Sequence, residues 1–232
     1  RNDIIIRGNS PLGISWRLNE VDIPNPNHFG SFGSTGGAVS ILNHNTLSKS
    51  DFLTGAFPAE YGNVLAGVFD LSMRPGNNEK REHLAQIGIN GFELGSEGPI
   101  SIKRKSSYLI NYRYSSLAVL DKLGLNFGTG GAIPEYQDIS FNVNFPQQKF
   151  GKINLFGIAG KSAINIDAVE NEMQQGAYGD RGFDINFKTK AAILGATTTI
   201  KKTNNSSIKI ALGISYTGTK SIQDSVSKTN NE

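Results

Sequence analysis

The chain has 232 residues, a formal net charge of +3, 38% hydrophobic and 19% charged residues, 27 glycines and no cysteine. A compact soluble domain is about half apolar and a quarter charged, so this composition suits turns, hairpins and half-polar strands better than helix bundles. It excludes disulfide frameworks and thiolate metal sites, the charge is too small to argue for nucleic acid, and no apolar run approaches the roughly 18 residues of a membrane-spanning helix.

Residues 1–79 read as short strands and Gly-rich turns, and the chain opens at Arg1 inside a strand, as a piece of a longer protein would. Pro24 and Pro26 hold Asn25-Pro26-Asn27-His28-Phe29 extended and out of sheet pairing. Two amides, an imidazole and an aromatic ring then project, which makes Asn25, Asn27, His28 and Phe29 the candidate substrate-binding residues. The competing reading only packs this loop against a wall of the fold. The run Gly30–Gly37 lacks the Lys-Ser/Thr ending of a phosphate loop and reads as a flexible turn. Arg74-Pro75-Gly76-Asn77-Asn78 carries boundary-turn chemistry and separates a first domain, 1–79, from a second, 80–232.

The second domain alternates strictly. Tyr108, Ile110, Tyr112 and Tyr114 oppose Ser107, Leu109, Asn111 and Arg113; Ile139, Phe141, Val143 and Phe145 oppose Asp138, Ser140, Asn142 and Asn144. Residues 183–188 and 207–216 repeat the pattern, and 84–100 are expected to form an up–down pair bending near Asn90-Gly91. Such segments have one apolar and one polar face. Alternation alone also fits a soluble sandwich. Segment lengths of about 8–12 residues exceed the soluble mode of roughly 5–6 and suit a tilted membrane strand. The connections alternate short (95–106, 146–151, 201–206) with long (115–137, 161–182), the habit of outer-membrane barrels. Tyr108, Ile110 and Tyr112 are therefore expected to face lipid, and Asn111 and Arg113 the lumen. Tyr108, Tyr112, Tyr114 and Tyr216 fit interfacial girdles and equally the ordinary strand propensity of tyrosine.

No catalytic or metal constellation emerges. His28, His44 and His83 are scattered; Asp180, Asp184 and Asn186 lack the terminal Glu of a calcium loop; Ser10, Ser34 and Ser40 sit in no nucleophile elbow; Glu93 and Glu97 read as turn decoration as readily as a catalytic pair. The chain is expected to be no enzyme and to carry no cofactor.

Several motifs in the first 79 residues resemble the plug domain of TonB-dependent outer-membrane receptors. Asp3-Ile4-Ile5-Ile6-Arg7-Gly8 is similar to the plug's I-x-I-R-G strand. Ile14–Pro24 is similar to the hairpin that follows, with Asn19-Glu20 in place of its Asp-Gly turn. Glu60, Tyr61 and Gly62 match the Y-G element, and Gly67–Arg74 the closing strand. Glu97-Gly98-Pro99-Ile100, Tyr112-Arg113-Tyr114 and Pro134–Asp138 resemble the Bacteroidota branch, whose members carry a carboxypeptidase-regulatory-like domain.

The resemblance implies a mainly β fold: the C-terminal part of an α+β plug, followed by the first antiparallel strands, at most about seven, of a transmembrane β-barrel of about 22. It implies a bacterial outer-membrane receptor that imports a nutrient (glycan, peptide or metal chelate) by plug-gated active transport. TonB–ExbB–ExbD would drive it through a segment preceding Arg1. Further partners would be membrane lipid and a surface lipoprotein, the latter favouring glycan or peptide import. Arg7, Gly8, Glu60, Tyr61, Gly62 and Gly67 are the plug signature. Arg7 is suited to grip wall carboxylates bidentately, tying the plug by exchangeable polar contacts instead of a dry core. The alternative function is a barrel acting as an adhesin or structural protein, without transport.

Overall fold

The computed structural model describes residues 3–30, 33–37, 39–88, 91–116, 133–148, 151–166, 183–203 and 206–225. The fold is mainly β. An N-terminal unit packs on one face of a long antiparallel sheet.

In the N-terminal unit, β1 (Ile14–Leu18) pairs antiparallel with β2 (Val21–Ile23) and parallel with β6 (Gly67–Leu71), which pairs antiparallel with β5 (Asp51–Leu53). The even positions of β1 explain its packing. Trp16 stacks on Phe69 at 4.1 Å between centroids, and Phe69 on Phe52 at 4.3 Å, along one row of the register. Leu18, Ile23 and Leu71 lie on this same face and enter the core. The other face holds Arg17 and Asp70. The expectation that the prolines keep 25–29 out of sheet pairing is corrected: Asn27 and His28, which follow Pro26 and retain their N–H groups, form β3 (Asn27–His28) and pair antiparallel with β4 (Val39–Ser40).

The β1–β2 turn settles which geometry Asn19-Glu20 adopts in place of Asp-Gly. Both residues have positive φ, 46° and 72°, as a type I′ hairpin turn requires. Asn tolerates this conformation, and the Asn19 amide oxygen accepts from the Met73 N–H at 2.8 Å.

Seven strands follow in meander order: β7 (Glu82–Gly88), β8 (Gly91–Ser101), β9 (Ser106–Ser116), β10 (Ile133–Gln148), β11 (Gly151–Ile166), β12 (Phe183–Thr203) and β13 (Ser206–Ser225). The up–down pair expected across 84–100 is the β7–β8 hairpin. Strand lengths exceed the sequence reading: β10 and β11 have 16 residues, β12 has 21 and β13 has 20. The apolar pattern marks only the middle of each ladder. Pairing continues through polar stretches such as Lys201↔Ser207, because backbone hydrogen bonds need no apolar side chain. The connections 117–132 and 167–182 lie outside the described residues, as does Asp180.

Two further expectations are corrected. Residues 3–8 form no strand: Ile6–Gly8 turn, with Arg7 at φ 50°. The backbone ahead of them bonds side chains, not a ladder, the Ile4 N–H donating to Thr35 Oγ1 at 3.0 Å. Second, the α component of the first domain is absent among the described residues. They contain only the 3-10 turns Pro11–Gly13 and His44–Thr46, and no helix long and apolar enough to cross a membrane.

Because side chains alternate, the long sheet has two unlike faces. Toward the N-terminal unit point Glu93, Asn111, Asp138, Ser140 and Asn142, all buried, with apolar Phe156, Ile158 and Ile193 between them and the core. The expectation of purely polar contacts is thus corrected: β11 is apolar on both faces at its centre, so a dry cluster forms beside the polar network. Away from the unit point Tyr108, Ile110, Tyr112, Ile139, Phe141, Leu155, Leu194, Leu212 and Ile214. Several are largely bare: Leu194 is 53% exposed, Leu212 66% and Ile214 70%.

Candidate functional site

The seam between the two units is where charged and amide side chains gather, at three points. At the first, Arg74, just after β6, grips Glu97 of β8 bidentately: Nη1 donates to Oε2 at 2.8 Å and Nη2 to Oε1 at 2.7 Å. The Asn77 N–H also donates to Glu97 Oε2 at 2.7 Å. Close approach here needs glycine: a Cβ on Gly76 would sit 2.0 Å from the Tyr108 carbonyl oxygen.

At the second point Glu93 Oε1 accepts from three amides, those of Asn43 (2.8 Å), Asn45 (2.6 Å) and Asn111 (2.8 Å). Asn43, wholly buried, also donates to Asn111 Oδ1 at 2.8 Å. Three amide donors converging on one oxygen offset much of the cost of burying this carboxylate.

At the third point Arg113 on β9 binds Asp138 on β10 through Nε (2.9 Å) and Nη2 (2.8 Å), and Nη2 also donates to the carbonyls of Ser40 (2.7 Å) and Ile41 (3.2 Å). His28 Nε2 lies 3.0 Å from Asp138 Oδ2. A carboxylate held by arginine only accepts, so the imidazole carries its proton on Nε2. Gly160 makes room: a Cβ there would meet the ring at 2.8 Å.

The loop 25–29 therefore does not project as the sequence reading expected. His28 is 1% exposed, its ring tilted against that of Tyr136 at 4.8 Å between centroids. The Phe29 N–H donates to Ser162 Oγ and Thr189 Oγ1. The Asn25 amide donates to the Ser34 and Gly36 carbonyls, and Asn27 to Asn25 Oδ1 and the Thr35 carbonyl, so both amides hold the loop's own shape. Prolines on either side straighten the loop, and the carboxylate on the wall captures it. Asn25 and Asn27 do line a cavity of about 700 Å3 between the N-terminal unit and β12–β13, with Trp16, Ser34, Thr189 and Thr217. The buried Trp16 Nε1 has no hydrogen-bond partner among the described residues.

The other singled-out residues are spread out. Arg7 is exposed, in the turn at residues 6–8, and makes no ion pair among the described residues; the bidentate tie expected of it is made by Arg74. Tyr61 donates to Asp70 Oδ2 at 2.6 Å, and Arg17 lies over its ring at 5.0 Å. The bond to Asp70 pushes the phenol up to about 12, because ionising it would oppose a neighbouring carboxylate. Glu60 meets Arg17 at 3.6 Å. Gly8 takes φ 74° in the turn and Gly62 is exposed. A Cβ on Gly67 would strike Ile6 at 2.6 Å.

Arg74, Asn43, Glu93, Glu97 and Asp138 were missed as anchors. For Glu93, Glu97 and Asp138 the available signal was a carboxylate at the inward parity of a strand; Arg74 and Asn43 lie between elements and carried none. No group of three or more His, Asp or Glu suited to a metal occurs among the described residues. No family model, curated protein or solved structure matches the chain.

Proposed function

We propose that this chain is part of a TonB-dependent outer-membrane receptor, with the N-terminal unit as part of a plug and β7–β13 as the first strands of its barrel. One observation carries the reading: a single sheet whose polar face is tied to the N-terminal unit by hydrogen-bonded charges and whose other face is bare and apolar. Along β13, Ile208 to Tyr216 cover about 26 Å at roughly 3.3 Å per residue, comparable with the apolar band of about 25 Å in outer-membrane barrels. A soluble sandwich would cover that face. The motif order of the first 79 residues adds direction.

On this reading the plug closes a wet lumen, and a nutrient (glycan, peptide or metal chelate) enters the amide- and hydroxyl-lined cavity at Asn25 and Asn27. TonB, energised by ExbB and ExbD, then pulls the plug. Polar ties suit that cycle because water replaces each bond as it breaks. The dry cluster at Phe156 resists full extraction, which favours partial unfolding of the plug over its ejection. No catalysis is assigned.

The test uses the absence of native cysteine. Cysteines at Asn43 and Glu93 are bridged by a short bis-methanethiosulfonate linker in the outer membrane. Energised uptake should stop and return on reduction. Full uptake with complete bridging would overturn plug gating, and the absence of energised uptake by the unbridged protein would favour the non-transporting adhesin or structural barrel.

A further inference from the structure

On the membrane-facing side just described, the register brings like charges together. Lys161 of β11 stands directly opposite Lys190 of β12, and Lys188 of β12 directly opposite Lys220 of β13. All four are exposed, on the face turned away from the N-terminal unit. Opposed like charges destabilise a sheet, and none of the four has an ion-pair partner among the described residues, although Lys209 on β13 does.

The order of groups along this face is informative. Along β12 it runs Leu194, Ala192, Lys190, Lys188, Asn186, Asp184: apolar, cationic, neutral, anionic. β13 repeats it, with Ile214, Tyr216, Gly218, Lys220, Ile222 and Asp224. The carboxylates on this face are Asp184 and Asp224, opposed two rows beyond the lysines, and Glu135, opposite Ala163 on the far side of β11. The lysines thus sit between the apolar band and the carboxylates, at the level where a bilayer carries its phosphates.

Directly beneath them the apolar face is grooved. Ala159 and Ala192 form a low floor between Phe141 on one side and Ile214 and Tyr216 on the other, enclosing about 240 Å3. A second depression of about 490 Å3 continues it past Leu155 and Leu212. The Tyr216 hydroxyl lies over Gly218, where a Cβ would be 3.0 Å away, and Gly218 is the register partner of Lys190. A phenol donor therefore joins the lysine row.

We propose that this face of β11–β13 is a binding site for a phosphate-bearing membrane lipid. Lys161, Lys188, Lys190, Lys220 and the Tyr216 hydroxyl take the headgroup phosphate, and the groove over Ala159 and Ala192 takes an acyl chain. The phosphate removes the repulsion that the two lysine pairs carry alone, by charge-assisted hydrogen bonds. This inference rests on the membrane-spanning reading above.

The test is native mass spectrometry of the intact protein released from detergent micelles doped with phosphatidic acid, with phosphatidylcholine as the zwitterionic control. The wild type should retain phosphatidic acid preferentially. The K161Q/K188Q/K190Q/K220Q variant should lose about ten-fold or more in apparent affinity, as removal of charge-assisted contacts predicts. A192L, which fills the groove and keeps every lysine, should also weaken retention. In lipid-free detergent, K161Q alone should raise the Tm by relieving repulsion, a readout independent of lipid. Equal retention by the quadruple variant, equal retention of both lipids, or full displacement by inorganic phosphate would overturn the lipid site and leave the barrel reading standing. A protein that stays soluble without detergent and retains neither lipid would overturn both.

Discussion

Arg74 and Glu97 show how much one residue pair can decide. The pair is bidentate and partly shielded, with Glu97 14% exposed at its side chain, so it exceeds an open surface ion pair worth under about 1 kcal/mol. Hydrogen bonds to charged groups contribute about 1.5–3 kcal/mol each. Glu97→Gln, which keeps the shape and removes the charge, should loosen this corner by about 2 kcal/mol. Faster hydrogen exchange at the Thr46 and Ser48 amides would report it, and unchanged exchange would deny the anchor. Tyr61 makes a second prediction. Its phenol is raised to about 12 against about 10 when unfolded, so its contribution to stability is fully present below pH 10 and is lost as pH rises through 12. The tyrosinate difference spectrum between wild type and Tyr61→Phe should show the late titration, and Asp70→Asn should bring it down.

Among the elements, the β1–β2 turn and the seven-strand ladder behave differently under substitution. Asn19 has a left-handed backbone, its amide oxygen accepts from the Met73 N–H, and its amide N–H donates to Asn154 Oδ1. Asn19→Ala combines strain of roughly 1 kcal/mol with the loss of those bonds, about 1 kcal/mol each, so the hairpin should lose about 2–3 kcal/mol in thermal unfolding. Glu20→Gly should be near neutral: relief of left-handed strain of about 1 kcal/mol offsets the extra unfolded-chain entropy of Gly, about 0.4–1 kcal/mol, and the ion pair with Lys209 is half exposed. In the ladder a one-residue step changes face. Single cysteines should label with aqueous maleimide at Ala211 and be protected by the bilayer at Ile110 and Leu212; ready labelling at 110 would reverse the assignment of faces.

For the whole molecule, the long sheet ends among the described residues in two edge strands, β7 and β13, each paired on one side only, and bears an uncovered apolar face. Both features call for a surrounding medium or further strands, since exposed edges and apolar patches drive association. In membranes Leu212→Arg should therefore cost about 2–4 kcal/mol, read as a loss of folded, heat-modifiable protein. Ala211→Arg, one residue away on the face turned toward the N-terminal unit, should be well tolerated. Equal effects of the two would remove the bilayer from the explanation.

Much of this was legible in the residue order. The alternation from Ser107 to Tyr114 and from Asp138 to Phe145 already assigned each side chain to one of two faces, because the period of a strand is two and no tertiary contact can change it. The hairpin at 14–24 was read from its resemblance to a plug hairpin, and the pair across 84–100 from the strand parity that a closed barrel requires. Strand length was not legible, since backbone pairing extends through Thr, Lys and Asn where apolar periodicity falls silent. The fate of His28 was least legible. Two prolines make its loop straight, which permits either projection into solvent or burial. Asp138, 110 residues further along, decided for burial, because a carboxylate fixed by Arg113 on the wall is a better partner for an imidazole than water. The partner choices of Arg74, Asn43 and Lys161 share that origin: parity along each strand was set by sequence, but which side chain stands opposite was set by register and by how the two units meet.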